Sequence, residues 1–386
     1  MRRVYLDHAA TTPLDPRVFE AMLPLLREHF GNASSVHALG RKARFAVEES
    51  RERIAGALGA EPGEIIFTSG GTEADNAALR GLHRGERCGV VTSRAEHEAV
   101  LRVAERLAAE GVPVVTLTPE ASGAVRPERV AEAITDETRL VSLMHANNEV
   151  GTLTDVRAVA EVCREKGVAF HTDAVQTAGL FRLSVDDLGV DALSFSAHKF
   201  YGPKGVGALY VRGGSDFRAL IEGGAQERRR RAGTENVAAI VGMAEALALA
   251  LAEADARLAH VADLRRRLYR LLREALGDRF VCNTPLEDEA SAPHILNIAF
   301  PPREDRPVDG EMLLLNLDVE GICASSGSAC TSGAVAPSHV LLALGRPPET
   351  AAAALRFSLG KDNTEADIDR TVETLAAIVH RMVGAP

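Results

Sequence analysis

The 386-residue sequence predicts an α/β fold, with a large, mostly parallel, doubly wound sheet followed by a smaller α+β lobe. Three observations carry this. Short β-branched runs alternate with amphipathic stretches between positions 63 and 212, those stretches are long enough for helices that cross over between strands, and an Ala-rich helical pattern then leads into a region of different rhythm.

The strand candidates are IIFT at 65, GVVTS at 89, VPVVTL at 112, RLVSLMHA at 139, GVAFHTD at 167, DALSFSAH at 191 and GALYV at 207. Helical patterns such as EHEAVLRVAERLAAEG from 96 and DVRAVAEVCREKG from 155 separate them. In a sheet of this kind ligands sit beyond the carboxyl ends of the strands. From about Asn236 to Leu276 the Ala-rich pattern predicts a connector that is long for a globular helix. A strand at 295–300 (ILNIAF), a helix at 309–317, a Gly/Ser loop at 324–334 and a terminal helix from Thr364 then build the smaller lobe.

Composition narrows the function classes. Apolar residues make up 46% of the chain, enough for a full core, and the net charge of −10 disfavours a general attraction to nucleic acid or anionic lipid. Cys88, Cys163, Cys282, Cys323 and Cys330 are scattered and never spaced CxxC, which argues against a disulfide framework or a structural zinc site. The N-terminus lacks the apolar stretch of a signal peptide. The longest apolar-looking run, 243–254, contains Glu245 and Glu253 and is too short to span a bilayer. A cytoplasmic protein with no membrane partner is expected.

Chemistry-bearing residues cluster at strand ends. Ser196, His198 and Lys199 follow one predicted strand, where a lysine in partly apolar surroundings has its pKa lowered and can bond a carbonyl cofactor. Asp173, with Gln176 three residues on, ends another. It suits either a helix N-cap or the carboxylate that keeps a pyridinium nitrogen protonated. Thr68 to Glu73, containing Gly70, Gly71 and Thr72, lead from a strand into a helix and would present backbone N–H groups to a phosphate. A capping box of Thr72 with Asp75 is compatible with that. His97 either stacks on a cofactor ring or merely begins a helix, and Asn147 and Asn148 offer side-chain amides. Neither GxxxxGK[ST] nor GxGxxG occurs. Small residues flank Cys330 in the Gly/Ser loop and leave its thiol accessible, whereas Cys323 suits an apolar position and Cys88, Cys163 and Cys282 fit strands or a helix face.

In this order, YLDHAATTP at 5, TSGGTEADN, AEHEAV, MHANNEVG, HTDAVQ, SFSAHKFYGPKGVGALY, RRAGTENV, SSGSACTSG and LRFSLG at 355 span almost the whole chain. Together they resemble the cysteine desulfurases, fold type I pyridoxal phosphate enzymes of the class-V aminotransferase superfamily. The SSGSACTSG loop resembles the family's group I branch. The resemblance implies a large cofactor-binding domain over 14–257 and a small domain made of 1–13 and 258–386 that carries the cysteine loop. It makes Lys199 the Schiff-base lysine and Asp173 the pyridinium partner. Gln176 and Asn148 would bond the ring's phenolic oxygen or neighbouring groups, with Asn148 also facing the substrate, and His97 would stack on the ring and assist proton transfer. Gly71, Thr72, Ser196 and His198 would hold the phosphate, and Thr234 would reach the phosphate of a partner subunit, which implies a homodimer. Arg356 would clamp the substrate carboxylate.

The implied reaction removes sulfur from L-cysteine. Lys199 takes the Cα proton, Cys330 as thiolate attacks the substrate sulfur, and alanine leaves while a persulfide stays on the enzyme for an acceptor such as an iron-sulfur cluster scaffold. Selenocysteine lyase and aminotransferase are the nearest rivals, although an aminotransferase has no need of the Cys330 loop. A non-catalytic sulfur-carrier scaffold has no need of Lys199, Asp173 and the phosphate turn together. The run Arg228 to Arg231 reads either as a solvated loop or as a docking surface for an acidic partner. Only five lysines stand among 44 basic residues, yet one of them is Lys199, a position arginine cannot serve because it does not deprotonate.

Overall fold

The computed structural model describes residues 2–83, 88–287, 289–302, 308–326 and 336–383. It opens with a short strand, β1 (Val4–Tyr5), and two helices, Pro16–Arg27 and Ala38–Leu58. Local chemistry explains both helices. Asp15 accepts from the Arg17 N–H and Pro16 occupies the first turn, while Gly59 at φ 66° ends the second helix in a left-handed cap. Apolar periodicity does not mark Ala38–Leu58, because its buried face includes Gly40, Ala43, Ser50 and Arg51.

The predicted strands then appear in order as β2 (Ile65–Thr68), β3 (Gly89–Ser93), β4 (Val114–Leu117), β5 (Thr138–Ser142), β6 (Ala169–Asp173), β7 (Ala192–Ser196) and β8 (Gly207–Val211). They form one sheet in the order β2-β8-β7-β6-β5-β3-β4, in which β8 alone runs antiparallel to its neighbours. Helices cover both faces. Ile65 and Phe67 join one core with Ile54, Phe170 and Met243, while Ile66 between them joins the opposite core with Leu79 and Val100. The same alternation splits Leu209 from Tyr210 and Leu140 from Val141. Each such buried side chain is worth about 1.5–3 kcal/mol.

The Ala-rich connector is not one helix. Val237–Ala252 and Ala254–Leu276 meet at Glu253 with a bend of 71°. The Glu253 carboxylate accepts from Arg17 (2.7 Å) and Arg257 (2.6 Å), and these charge-assisted bonds hold the corner. Beyond it, β9 (Val281–Cys282), β10 (Ile295–Ala299), β11 (Ile322–Cys323) and β12 (Ala354–Ser358) supply a three-stranded antiparallel sheet β12-β10-β9 and a parallel β1-β11 pair. Helices Gly310–Val319 and Glu365–Val383 complete a separate core, built on Leu264, Leu268, Leu296, Phe357 and Ile368 and joined by Val4 and Leu6 from the chain's start. No single helix among the described residues is long and apolar enough to cross a membrane.

Candidate active site

Because β2, β3, β5, β6 and β7 run the same way, their carboxyl ends open on one edge of the sheet. A cavity of about 640 Å³ lies there, lined by Gly71, Thr72, His97, Asn148, Asp173, Gln176, Ser196, His198, Lys199 and Arg356 among others. The structure therefore brings ten of the sequence-predicted residues together. Thr234 is not among them. It is exposed and borders a different cavity, of about 100 Å³, on the reverse side of the Thr68–Ser69 turn. Cys330, like 327–335 as a whole, lies outside the described residues.

Lys199 follows β7, and its Nζ donates to the carbonyls of Ala9 (2.5 Å) and Ala10 (3.0 Å). Burial, assisted by the Arg356 charge and opposed by Asp173 and Asp7, lowers its pKa to about 8. Asp173 ends β6 and accepts from the Val175 N–H (2.8 Å), so it caps a turn and not a helix. Burial pushes its carboxyl up, against His97, the Val175 N–H and Lys199. A carboxyl raised by burial stays ionised only where a nearby cation offsets its desolvation.

The other groups sit around this pair. His97 is the N-cap of helix Glu98–Ala109, with Nδ1 accepting from the Ala99 N–H (3.1 Å), and it lines the cavity as well. Burial lowers its pKa. Asn147 is structural, its side chain tied to the Ala95 carbonyl and to the N–H groups of Glu149 and Val150, whereas Asn148 keeps a buried side-chain oxygen with no partner. Gln176 donates to the Ala9 carbonyl (2.9 Å). His198 bonds Thr11 through Nδ1 (3.1 Å), and burial with the nearby Lys199 and Lys204 lowers its pKa to about 4. Arg356 bonds the Asn148 carbonyl (2.7 Å) and Asp7 (2.8 Å), leaving its buried Nε unpartnered. Each of its terminal nitrogens keeps a second N–H.

The phosphate turn differs in one respect from the sequence reading. Thr72 and Asp75 form no capping box, since Gly70 is the N-cap of helix Gly71–Leu82 and Glu73 accepts from the Ser69 N–H (2.8 Å). A Cβ on Gly71 would stand 2.8 Å from Val175 Cγ2. The absent side chain thus allows the helix start to sit against the strand end beside Asp173.

The burial of three carboxyls went unnoticed in the sequence. Asp75 bonds Ser194 while its Oδ1 lacks a partner, Glu96 accepts from the Met144 N–H (3.0 Å), and Glu149 accepts from Ser338. Burial raises the pKa of all three. The only signal was an acid lying inside each of three motifs that also carry site residues. The carbonyls of Ala9 and Ala10 were also missed, because backbone groups leave no mark in a sequence. Of the thiols described, burial pushes Cys163 up to about 12 and Cys282 up to about 11, which makes both poor nucleophiles.

A lysine with a depressed pKa, a buried carboxylate on the adjacent strand end, an unpartnered amide oxygen and a helix N-terminus, all lining one cavity, fit pyridoxal phosphate, and with this sheet they define a fold type I enzyme of that class. The Aminotransferase class-V family model matches residues 4–371. Cysteine desulfurase IscS of Dictyoglomus turgidum is 45% identical over 386 residues, covering 99% of this chain and 95% of its own. Its namesake from Clostridium botulinum is 46% identical over 381 residues, covering 98% and 94%. Among solved structures, a NifS-like protein superposes with a TM-score of 0.90 at 38% identity over 98% of this chain and all of its own. DndA from Streptomyces lividans does so at 0.77 and 41%, over 92% and 99%. The chain belongs to the class-V aminotransferases and, within them, to the cysteine desulfurases.

Proposed function

We propose that the protein converts L-cysteine to L-alanine and carries the released sulfur as a persulfide on Cys330. The observation that supports this most is the pairing of Lys199 and Asp173 on adjacent strand ends within one cavity. When bound, pyridoxal phosphate supplies an electron sink for charge developing at the substrate Cα. Asp173 would hold the proton of the ring nitrogen, Gly71, Thr72, Ser196 and His198 would hold the phosphate, Gln176 and Asn148 would orient the ring, and His97 would assist proton transfer.

Arg356 grips the substrate carboxylate with the N–H groups it has left, and Asn148 lies beside it. Lys199 Nζ, neutral in a useful fraction near pH 8, removes the Cα proton. The Cys330 thiolate then attacks the substrate sulfur. The S–S bond forms as the Cβ–S bond breaks, the electron pair passes to Cβ, and protonation at Cβ together with return of a proton to Cα from Lys199 completes alanine.

The separation between the cores on the two faces of the large sheet and the core beyond the bend supports a large domain over 14–257 and a small one made of 1–13 with 258–386. Exposed Phe19, Leu26, Phe30, Val36 and Phe45 near the start of the chain favour a homodimer, as does the position of Thr234 away from its own chain's cavity. The name IscS carried by relatives supports delivery of sulfur to an iron-sulfur cluster scaffold, and unpaired thiols at Cys88, Cys163, Cys282 and Cys323 suit the cytoplasm. Single-turnover incubation with sulfur-labelled L-cysteine tests the reading. The wild type retains label that dithiothreitol releases, and Cys330→Ala retains none; equal labelling of both would overturn the assignment of the nucleophile.

A further inference from the structure

Only part of the arginine run is solvated: Arg228 and Arg229 are exposed, whereas Arg230 and Arg231 are partly buried. Glu227 is buried and takes two bonds from Arg51 (2.8 Å each) and one from the Phe67 N–H (3.0 Å), at the amide just before the phosphate turn. Arg51 also lies over the Phe67 ring, 4.7 Å from its centre. Around that anchor, Glu227, Arg228 and Arg229 adopt φ of 47°, 56° and 64°, three successive left-handed residues without a glycine. Such backbone persists only where its surroundings over-determine it. Two residues beyond this segment, the Arg231 guanidinium grips Glu73 in two bonds (2.8 and 3.1 Å).

Glu73 needs that grip. It sits in the first turn of helix Gly71–Leu82, and its carboxylate holds the Ser69 N–H. Those are favourable places for an anion in isolation, but a second anion bound at the same helix start would meet its charge. Burial pushes the Glu73 carboxyl up, and Arg231 with the Ser69 N–H outweighs that and keeps it ionised.

We infer that Arg231 is a positioning residue for the cofactor phosphate, cancelling the charge of Glu73 and fixing the carboxylate that shapes the turn, with Glu227 anchoring the strained segment that presents it. The inference rests on the reading of 68–72 as the phosphate turn. The test is the affinity of the cofactor-stripped protein for pyridoxal phosphate and for pyridoxal, followed by absorbance, in wild type, Arg231→Gln, Arg231→Lys, Glu73→Gln and the Glu73→Gln/Arg231→Gln double variant. Arg231→Gln is expected to weaken pyridoxal phosphate about 10- to 100-fold while leaving pyridoxal unchanged. Arg231→Lys keeps the charge and recovers most of the loss, and the double variant binds more tightly than Arg231→Gln alone because the uncancelled carboxylate is gone. Unchanged phosphate-ester affinity in Arg231→Gln, an equal loss for both ligands, or a double variant as weak as the sum of the singles would overturn it. A wild type that bound pyridoxal as tightly as its phosphate would instead refute the phosphate turn itself.

Discussion

Lys199 illustrates how one position is set by chemistry that no other residue type supplies. The chain uses arginine for most of its positive charge, and an arginine here would stay protonated. Burial and the Arg356 charge lower the lysine to about 8, so the neutral, reactive amine gains population as pH rises through that value. The rate at which the stripped protein captures cofactor covalently is therefore expected to rise to a half-maximum near pH 8 and then level off. A rate still climbing beyond pH 10 would mean an ordinary lysine. Lys199→Arg should abolish capture altogether. Arg356→Lys replaces a planar fork with a point donor, and the loss of a charge-assisted bond worth about 1.5–3 kcal/mol is expected to raise the KM for L-cysteine roughly 10- to 150-fold. Lys199 and Asp173 are legible in the sequence because each follows an apolar run with its chemistry exposed at the end. Asp75, Glu96 and Glu149 are not, because an acid's burial depends on what packs over it from distant parts of the chain.

At the level of elements, the parallel strands do the assembling. Their short β-branched runs, spaced by helical stretches, are plain in the sequence and announce the sheet on whose edge the site opens. Helix Ala38–Leu58 and the bend at Glu253 were hidden. The helix buries small and charged residues, and the bend depends on Arg17, distant in the chain, with no proline or glycine at the corner. Arg51 on that helix carries a direct consequence. Arg51→Met would strand the buried Glu227 carboxylate, and a loss of about 3–5 kcal/mol is expected in denaturant unfolding. A loss below 1 kcal/mol would show the pair to be dispensable. Gly71→Ala forces a Cβ against Val175 at 2.8 Å, with an expected cost of about 1–3 kcal/mol in the same measurement and weaker cofactor binding besides.

For the whole molecule, the first residues of the chain cross to the second core, and the Ala9–Ala10 carbonyls reach Lys199 on the way. Arg356, which lines the cavity, also pairs through its backbone with Ser325, five residues before Cys330 in the sequence. If the exposed aromatic side chains near the start of the chain meet a second copy, Phe30→Asp with Phe45→Asp should shift the mass measured by light scattering from dimer to monomer; an unchanged dimer would place the interface elsewhere. The central claim is the reaction itself, and one measurement tests it most directly. Holoenzyme incubated with L-cysteine and a reductant is expected to release sulfide and alanine in equal amounts, with Cys330→Ala keeping the cofactor's colour while its sulfide output falls by at least about 100-fold. Transamination of other amino acids with no sulfide from cysteine would contradict it.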